Sequence, residues 1–172
     1  NHADTGNDDR GISIDSRYVL ANPAVESPDP VTPILTAQLA VPTKAGATII
    51  FVMAAHPLGP MQDWMARRRR GGLEALAKWA SSMDAPVVLA GDLNVTPQSE
   101  LFGQLLRQGH LFDTARGKFP PPTWLTPVPG LGLRLDHVLV SPDIEVAKRT
   151  VGADYGSGHL PLTVDLKIPS AE

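Results

Sequence analysis

The spacing of apolar and polar residues changes period several times along this chain, and each period predicts an element. Residues 34–41, ILTAQLAV, alternate well enough for a strand. Residues 47–55, ATIIFVMAA, form a near-continuous β-branched and apolar run, which suits a strand covered on both faces. The period then lengthens. Over 61–83, Trp64, Leu73, Leu76, Ala80 and Met83 recur at helical spacing, while Gly71 and Gly72 weaken the middle of that helix. PVVLA (86–90) reads as a short buried strand. Thr96-Pro97 suits a cap and first helical position, opening a helix through Leu101, Phe102, Leu105 and Leu106 that stops at Gly109. Closing strands are expected over 134–141, 144–151 and 160–168.

The stretches between these elements are polar or rich in proline and glycine. Residues 1–10, NHADTGNDDR, read as a frayed terminus and 169–172 as a tail, leaving 11–168 as the domain. Residues 22–33 carry four prolines and read as an irregular surface loop. Residues 117–134 form a long Pro/Gly loop, of a length that is usually functional or mobile in a compact domain. Strands mixed with two helices predict a layered α/β (α+β) domain. The late run of strands without helices argues against an all-parallel, doubly wound sheet.

Composition narrows the function classes. Over 172 residues, 42% are apolar and 19% charged, which suits one packed domain and not a disordered chain. Net charge is −3, so the basic footprint of a duplex-binding protein is absent. Without cysteine there is no disulfide, thiolate metal site or cysteine nucleophile. No apolar run reaches the roughly 18 residues of a membrane span. The first residue is asparagine and no signal peptide is visible, so a piece of something longer is expected.

Four stretches carry residues suited to chemistry. In VVLAGDLNVTP, Asp92 and Asn94 lie two apart at a strand's end, where their side chains share one side. A carboxylate and an amide oxygen there suit Mg²⁺ or Mn²⁺, and an Asx turn accounts for the same pair. His56 leaves the 47–55 run, able to meet a phosphate oxygen or simply to close the strand end. Asp136, in RLDHVLVS, is placed to accept from an imidazole or to cap a turn; its neighbour His137 reads as a polar strand residue. His159 follows a flexible Gly-Ser-Gly and suits a base at a cleft, or a plain loop position. Arg67 to Arg70 read as a phosphate or headgroup patch or as a solvated face, and Trp124 as a stacking platform or as packing under its loop. Trp64 and Trp79 read as helix-packing residues; His2 and His110 have no supporting context.

Taken in order, HPLGP, VVLAGDLNVTP, PTW, RLDHVLVS and GSGHLPLTVDL resemble the C-terminal portion of the endonuclease/exonuclease/phosphatase (DNase I-like) superfamily. They are similar in particular to a bacterial branch whose members carry membrane-spanning helices. RGISIDSRYVL extends the resemblance upstream, so that it runs from about Gly11 to Lys167. The resemblance implies a two-sheet sandwich flanked by helices and a metal-dependent phosphoesterase. Its substrate would be nucleic acid, a phospholipid head group or a small phosphate ester. It implies that Asp92 orients the attacking water, Asn94 stabilises the transition state or the metal, and His159 acts as base or phosphorane stabiliser. Asp136 would pair with His159, and His56 would contact a phosphate oxygen. Mg²⁺ (or Mn²⁺) would sit among Asp92, Asn94 and His159. A membrane-tethered, extracytoplasmic location is implied as well.

Two departures from the family pattern matter. The final motif, normally Ser-Asp-His, is Ser157-Gly158-His159, with Asp154 as a nearby substitute carboxylate. The early asparagine and metal-binding glutamate of the family's first half do not appear. The first departure leaves room for a degenerate, non-catalytic binding or scaffolding domain. The second predicts an inactive fragment with one sheet face open, covered by a second copy or by the missing half.

Overall fold

The computed structural model describes residues 1–6, 11–26, 32–44, 46–59, 63–115, 117, 120–125 and 131–170. In chain order the elements are β1 (His2–Asp4), β2 (Ser13–Asp15), β3 (Leu20–Glu26), β4 (Ile34–Thr43), β5 (Gly46–Ala55), α1 (Asp63–Ser81), β6 (Val87–Asp92) and α2 (Glu100–Gln108). Then follow β7 (Phe112–Asp113), β8 (Trp124–Leu125), β9 (Gly132–Leu133), β10 (Asp136–Val140), β11 (Glu145–Val151) and β12 (Leu162–Lys167). The layered α/β expectation holds. Six strands form one sheet in the order β3-β4-β5-β6-β10-β7, with only β5 and β6 parallel.

Both helices cover one face of that sheet, and the alternation of each strand decides which residues meet them. Met53, Leu89 and Leu139 stand side by side across β5, β6 and β10 and are all at most 2% exposed. Leu73, Leu76, Ala77 and Ala80 of α1 and Phe102 and Leu105 of α2 close over this row. Each such side chain contributes about 1.5–3 kcal/mol relative to an exposed position. Gly72 lets α1 approach closely: a Cβ there would stand 3.3 Å from Thr32 Cγ2, whereas Gly71 faces open space.

The opposite face is covered thinly. β11 and β12 form a separate two-stranded sheet, and Leu162, Val164 and Leu166 of β12 are half-buried. Val52, Ala54, Val88, Ala90 and Val138 on the large sheet's same face are likewise only half-buried. The sandwich is therefore lopsided, six strands against two.

Several expectations need correction. The terminus is not frayed at its start: β1 pairs with β2, and the His2 ring is gripped by Asp15 at 2.7 Å and Asp4 at 2.9 Å. The loop expected at 22–33 is a strand as far as Glu26; residues 27–31 lie outside the described residues. Pro23 is tolerated because β3 is an edge strand and its pairing with β4 shifts register between Ala21 and Ala24. Helix α2 starts at Glu100 and not at Thr96-Pro97, because Ser99 N bonds Thr96 O (3.0 Å) and makes a turn first. The 117–134 loop holds the small β8–β9 hairpin, with 118–119 and 126–130 outside the described residues. Trp79 packs edge-on against Phe51, but Trp64 is 41% exposed, under the Arg68 guanidinium.

Candidate active site

Strand pairing brings together residues that are far apart in sequence. β5 and β6 run parallel with Ala54 beside Ala90, so their C-terminal ends, Ala55-His56 and Asp92, share one edge of the sheet. β10 runs antiparallel to β6, and its first residue, Asp136, stands directly opposite Asp92. A backbone bridge between Trp124 and His159 delivers the last member. All five sequence-predicted residues thus gather at one edge.

The atoms are arranged in a chain. His159 Nδ1 lies 2.8 Å from Asp136 Oδ2, so the ring donates there and turns Nε2 toward Asp92, whose Oδ2 is 3.8 Å away. His56 Nε2 approaches the same Asp92 oxygen from another side, at 3.6 Å. Asp92 is the most enclosed of the four, at 17% side-chain exposure against 39% for His56. Burial pushes the Asp92 carboxyl above its usual range, and the facing Asp136 adds to this. The Asn94 amide hydrogen bond and the two imidazoles pull the other way.

Asn94 is held by its surroundings. Its backbone is left-handed, with φ of 50°. Its N–H donates to Asp92 Oδ1 at 2.9 Å, its side-chain amide donates to Pro57 O at 2.9 Å, and its carbonyl accepts from Arg69 at 2.7 Å. Asn94 is therefore both the Asx turn that its residue type suggested and a member of the cluster. Gly91, with φ of 148°, lies so close to β5 that a Cβ would fall 2.0 Å from the Ala55 carbonyl oxygen.

Two contributors escaped the sequence. Arg69 belonged to a run of arginines readable as a solvated face, yet it is partly buried and ties α1 to the Asn94 carbonyl. Thr123, inside the quoted PTW, is 0% exposed, and its hydroxyl accepts from both Leu135 N and Asp136 N. Nothing in either residue's local sequence signals such a role. Asp154 does not stand in for a missing carboxylate: it is exposed and accepts from its own Gly156 N at 2.8 Å. His137 is the polar strand residue that was expected, in β10, and it is buried. It is 2% exposed, with Nε2 donating to Val95 O at 2.8 Å, and burial lowers its pKa. A hollow of about 1020 Å³ beside α2, β7 and the β8–β9 hairpin is lined by none of the five cluster residues.

The profile of the Endonuclease/Exonuclease/phosphatase family matches residues 8–159. The chain belongs to this family. No curated protein matches it in sequence. Among solved structures it resembles an endonuclease/exonuclease/phosphatase from Beutenbergia cavernae, with 25% identity, TM-score 0.76, and 92% of this chain against 47% of that one. It also resembles the human Nocturnin catalytic domain with bound sulfate (17%, TM-score 0.70, 92% against 64%). A third is Danio rerio TDP2 complexed with a single-strand DNA product (17%, TM-score 0.68, 92% against 71%). The chain therefore spans about half of the Beutenbergia protein and under two thirds of the Nocturnin domain. The DNase I-like layered fold is confirmed by these likenesses.

Family membership implies a divalent metal, and the cluster can be tested for one. Mg²⁺ requires about six oxygens near 2.1 Å. Here Asp92 Oδ1 is engaged by Asn94 N–H, Asp92 Oδ2 faces two imidazoles, and the Asn94 amide nitrogen is turned to Pro57. Among the described residues no group of three or more His, Asp or Glu converges on an ion position. The expected set of Asp92, Asn94 and His159 offers few free oxygens, so water and substrate oxygens would have to complete the shell of a Mg²⁺ held there.

Proposed function

We propose that this chain supplies the acid–base half of a phosphoesterase site, in which water hydrolyses a phosphodiester or phosphomonoester. The observation that supports it most is the Asp136–His159–Asp92 alignment, 2.8 Å on one side of the imidazole and 3.8 Å on the other. Asp136 accepts a hydrogen bond from Nδ1–H and so keeps Nε2 free of a proton. The free Nε2 takes a proton from a water positioned against Asp92, while that water's oxygen forms a bond to phosphorus and the ester oxygen leaves. His56 is placed to meet the developing charge on phosphate oxygens, while Asn94 holds Asp92 through its backbone N–H. The metal dependence implied by the family then needs oxygen ligands from outside the described residues.

The half-covered sheet face leads to the same conclusion about completeness. A second copy or a further β layer is expected on Val52, Ala54, Val88 and Val138. Light scattering coupled to size exclusion measures this, and a well-folded monomer that binds nothing there ends the idea. The substrate remains one of nucleic acid, phospholipid head group or small phosphate ester, and net charge of −3 disfavours tight duplex binding. A membrane-tethered, outward-facing setting is part of the proposal. Among the described residues no helix is long and apolar enough to cross a membrane, so any such anchor lies elsewhere.

A second reading, a degenerate binding domain, rests on Gly158. A Cβ there meets nothing within 4 Å, so the space of the family's aspartate is empty of side chain. Hydrolysis of bis(p-nitrophenyl) phosphate by the full-length protein with Mg²⁺ or Mn²⁺ separates the two. Wild-type turnover that His159→Ala removes supports the enzyme. No wild-type turnover, with a large gain in Gly158→Asp, supports degeneracy.

A further inference from the structure

We infer that Thr123 is a positioning residue that locks the Asp136–His159 pair, an inference that rests on the phosphoesterase reading for its meaning but not for its test. Thr123 is completely buried and lies outside the five-residue cluster. Its hydroxyl oxygen has two lone pairs, and two backbone amides use them: Leu135 N at 3.2 Å and Asp136 N at 3.0 Å. Its own carbonyl accepts from Leu160 N at 2.7 Å, next to His159, and its N–H donates to Leu133 O at 3.0 Å. The following residue, Trp124, bridges His159 itself.

One residue therefore grips both partners of the dyad, Asp136 through its side chain and the His159 segment through its main chain. This matters because the two come from separate elements. Asp136 opens β10, and His159 sits on the exposed loop before β12, next to a Gly158 that faces open space. Ser157 adds only a local contact, its hydroxyl accepting from His159 N at 3.1 Å. The separation of Oδ2 and Nδ1 depends on how the segment leading into β8 is docked against the start of β10, and the Thr123 hydroxyl supplies a side-chain link between them.

The experiment compares Thr123→Val, which keeps the shape and removes the acceptor, with Thr123→Ser, which keeps the acceptor and removes a methyl. The first readout is the ¹⁵N spectrum of the His159 ring at alkaline pH. Wild type and Thr123→Ser are expected to show the Nδ1–H tautomer that Asp136 selects, and Thr123→Val to shift toward the Nε2–H form preferred by free imidazole. Asp136→Asn serves as the reference for a lost partner. The second readout is phosphodiester hydrolysis, where Thr123→Val is expected to lower kcat about 100-fold with KM little changed, as for a roughly 1 Å misplacement. Thr123→Val with an unchanged tautomer overturns the inference. So does a folded Thr123→Ser that loses the Nδ1–H form, which decides the question if the valine variant does not fold. A full-length wild type without hydrolysis refutes the phosphoesterase reading and leaves the tautomer comparison to decide Thr123.

Discussion

Replacing Gly91 by alanine tests how tightly the site edge is built. Gly91 precedes Asp92 in β6 and has φ of 148°, a region that side chains rarely adopt. Holding alanine there costs about 1–3 kcal/mol in backbone strain. The methyl carbon would also stand 2.0 Å from the Ala55 carbonyl oxygen, 3.1 Å from its carbon and 3.3 Å from its nitrogen. Ordinary contacts between heavy atoms are about 3.5–4.0 Å, and the obstacle is backbone, which no rotamer change relieves. β5 and β6 must separate beside the Ala54–Ala90 pair, which also moves His56 away from Asp92. Adding the lost pairing to the strain gives a destabilisation of about 2–4 kcal/mol. In a protein of this size each 1 kcal/mol lowers Tm by about 2–4 °C, so thermal unfolding by circular dichroism should show a drop of about 4–16 °C. Gly71→Ala is the control. It lies within α1 with nothing within 4 Å of its added Cβ, and should gain about 0.5–1 kcal/mol. A Gly91→Ala protein melting within about 2 °C of wild type, or both variants shifting in the same direction, would refute the reasoning.

Three further outcomes follow from the same geometry. Asp92→Asn should raise stability at neutral pH while removing hydrolysis. The folded carboxyl sits above its unfolded pKa, so its favourable contribution is complete below the unfolded value and is lost as pH rises through the folded one; urea titrations at pH 7 and pH 3 should show the variant's advantage shrinking on acidification. His137, neutral and buried, behaves in the opposite sense. Its pKa is lowered from 6.5, so stability is complete above 6.5 and falls as pH drops through the lower folded value. That loss should flatten in His137→Gln, and identical melting curves against pH for both proteins would exclude the assignment. Arg69→Met removes the donor to the Asn94 carbonyl and should cost about 1–2 kcal/mol in urea unfolding, with a larger loss in kcat than in KM; an unchanged kcat would show that Asn94 keeps its left-handed turn unaided.

The parts that local pattern can encode were legible. Uninterrupted apolar runs mark β5 and β6 because both are central strands, although only one face is fully buried and not both as expected of 47–55, and helical spacing from Leu73 to Ala80 marks α1 because one face must meet the sheet. Asp92, Asn94, Asp136, His56 and His159 were identifiable because order and motif carry them. What failed was local context that tertiary placement overrides. Pro23 reads as a loop residue, yet an edge strand with a register shift accommodates it. Thr96-Pro97 reads as a helix start, yet a preceding turn displaces the start to Glu100.

By itself the sequence determined the family and the main elements and singled out the five residues that the fold gathers, since each depends on residue type at short spacing. Only the tertiary structure decided that Asp136 faces Asp92 across a ladder, that Arg69 points inward out of a run of four arginines, and that a buried Thr123 joins the two halves of the dyad. Hydrogen bonds and burial are made between residues distant along the chain, and no periodicity records which partner the fold will bring.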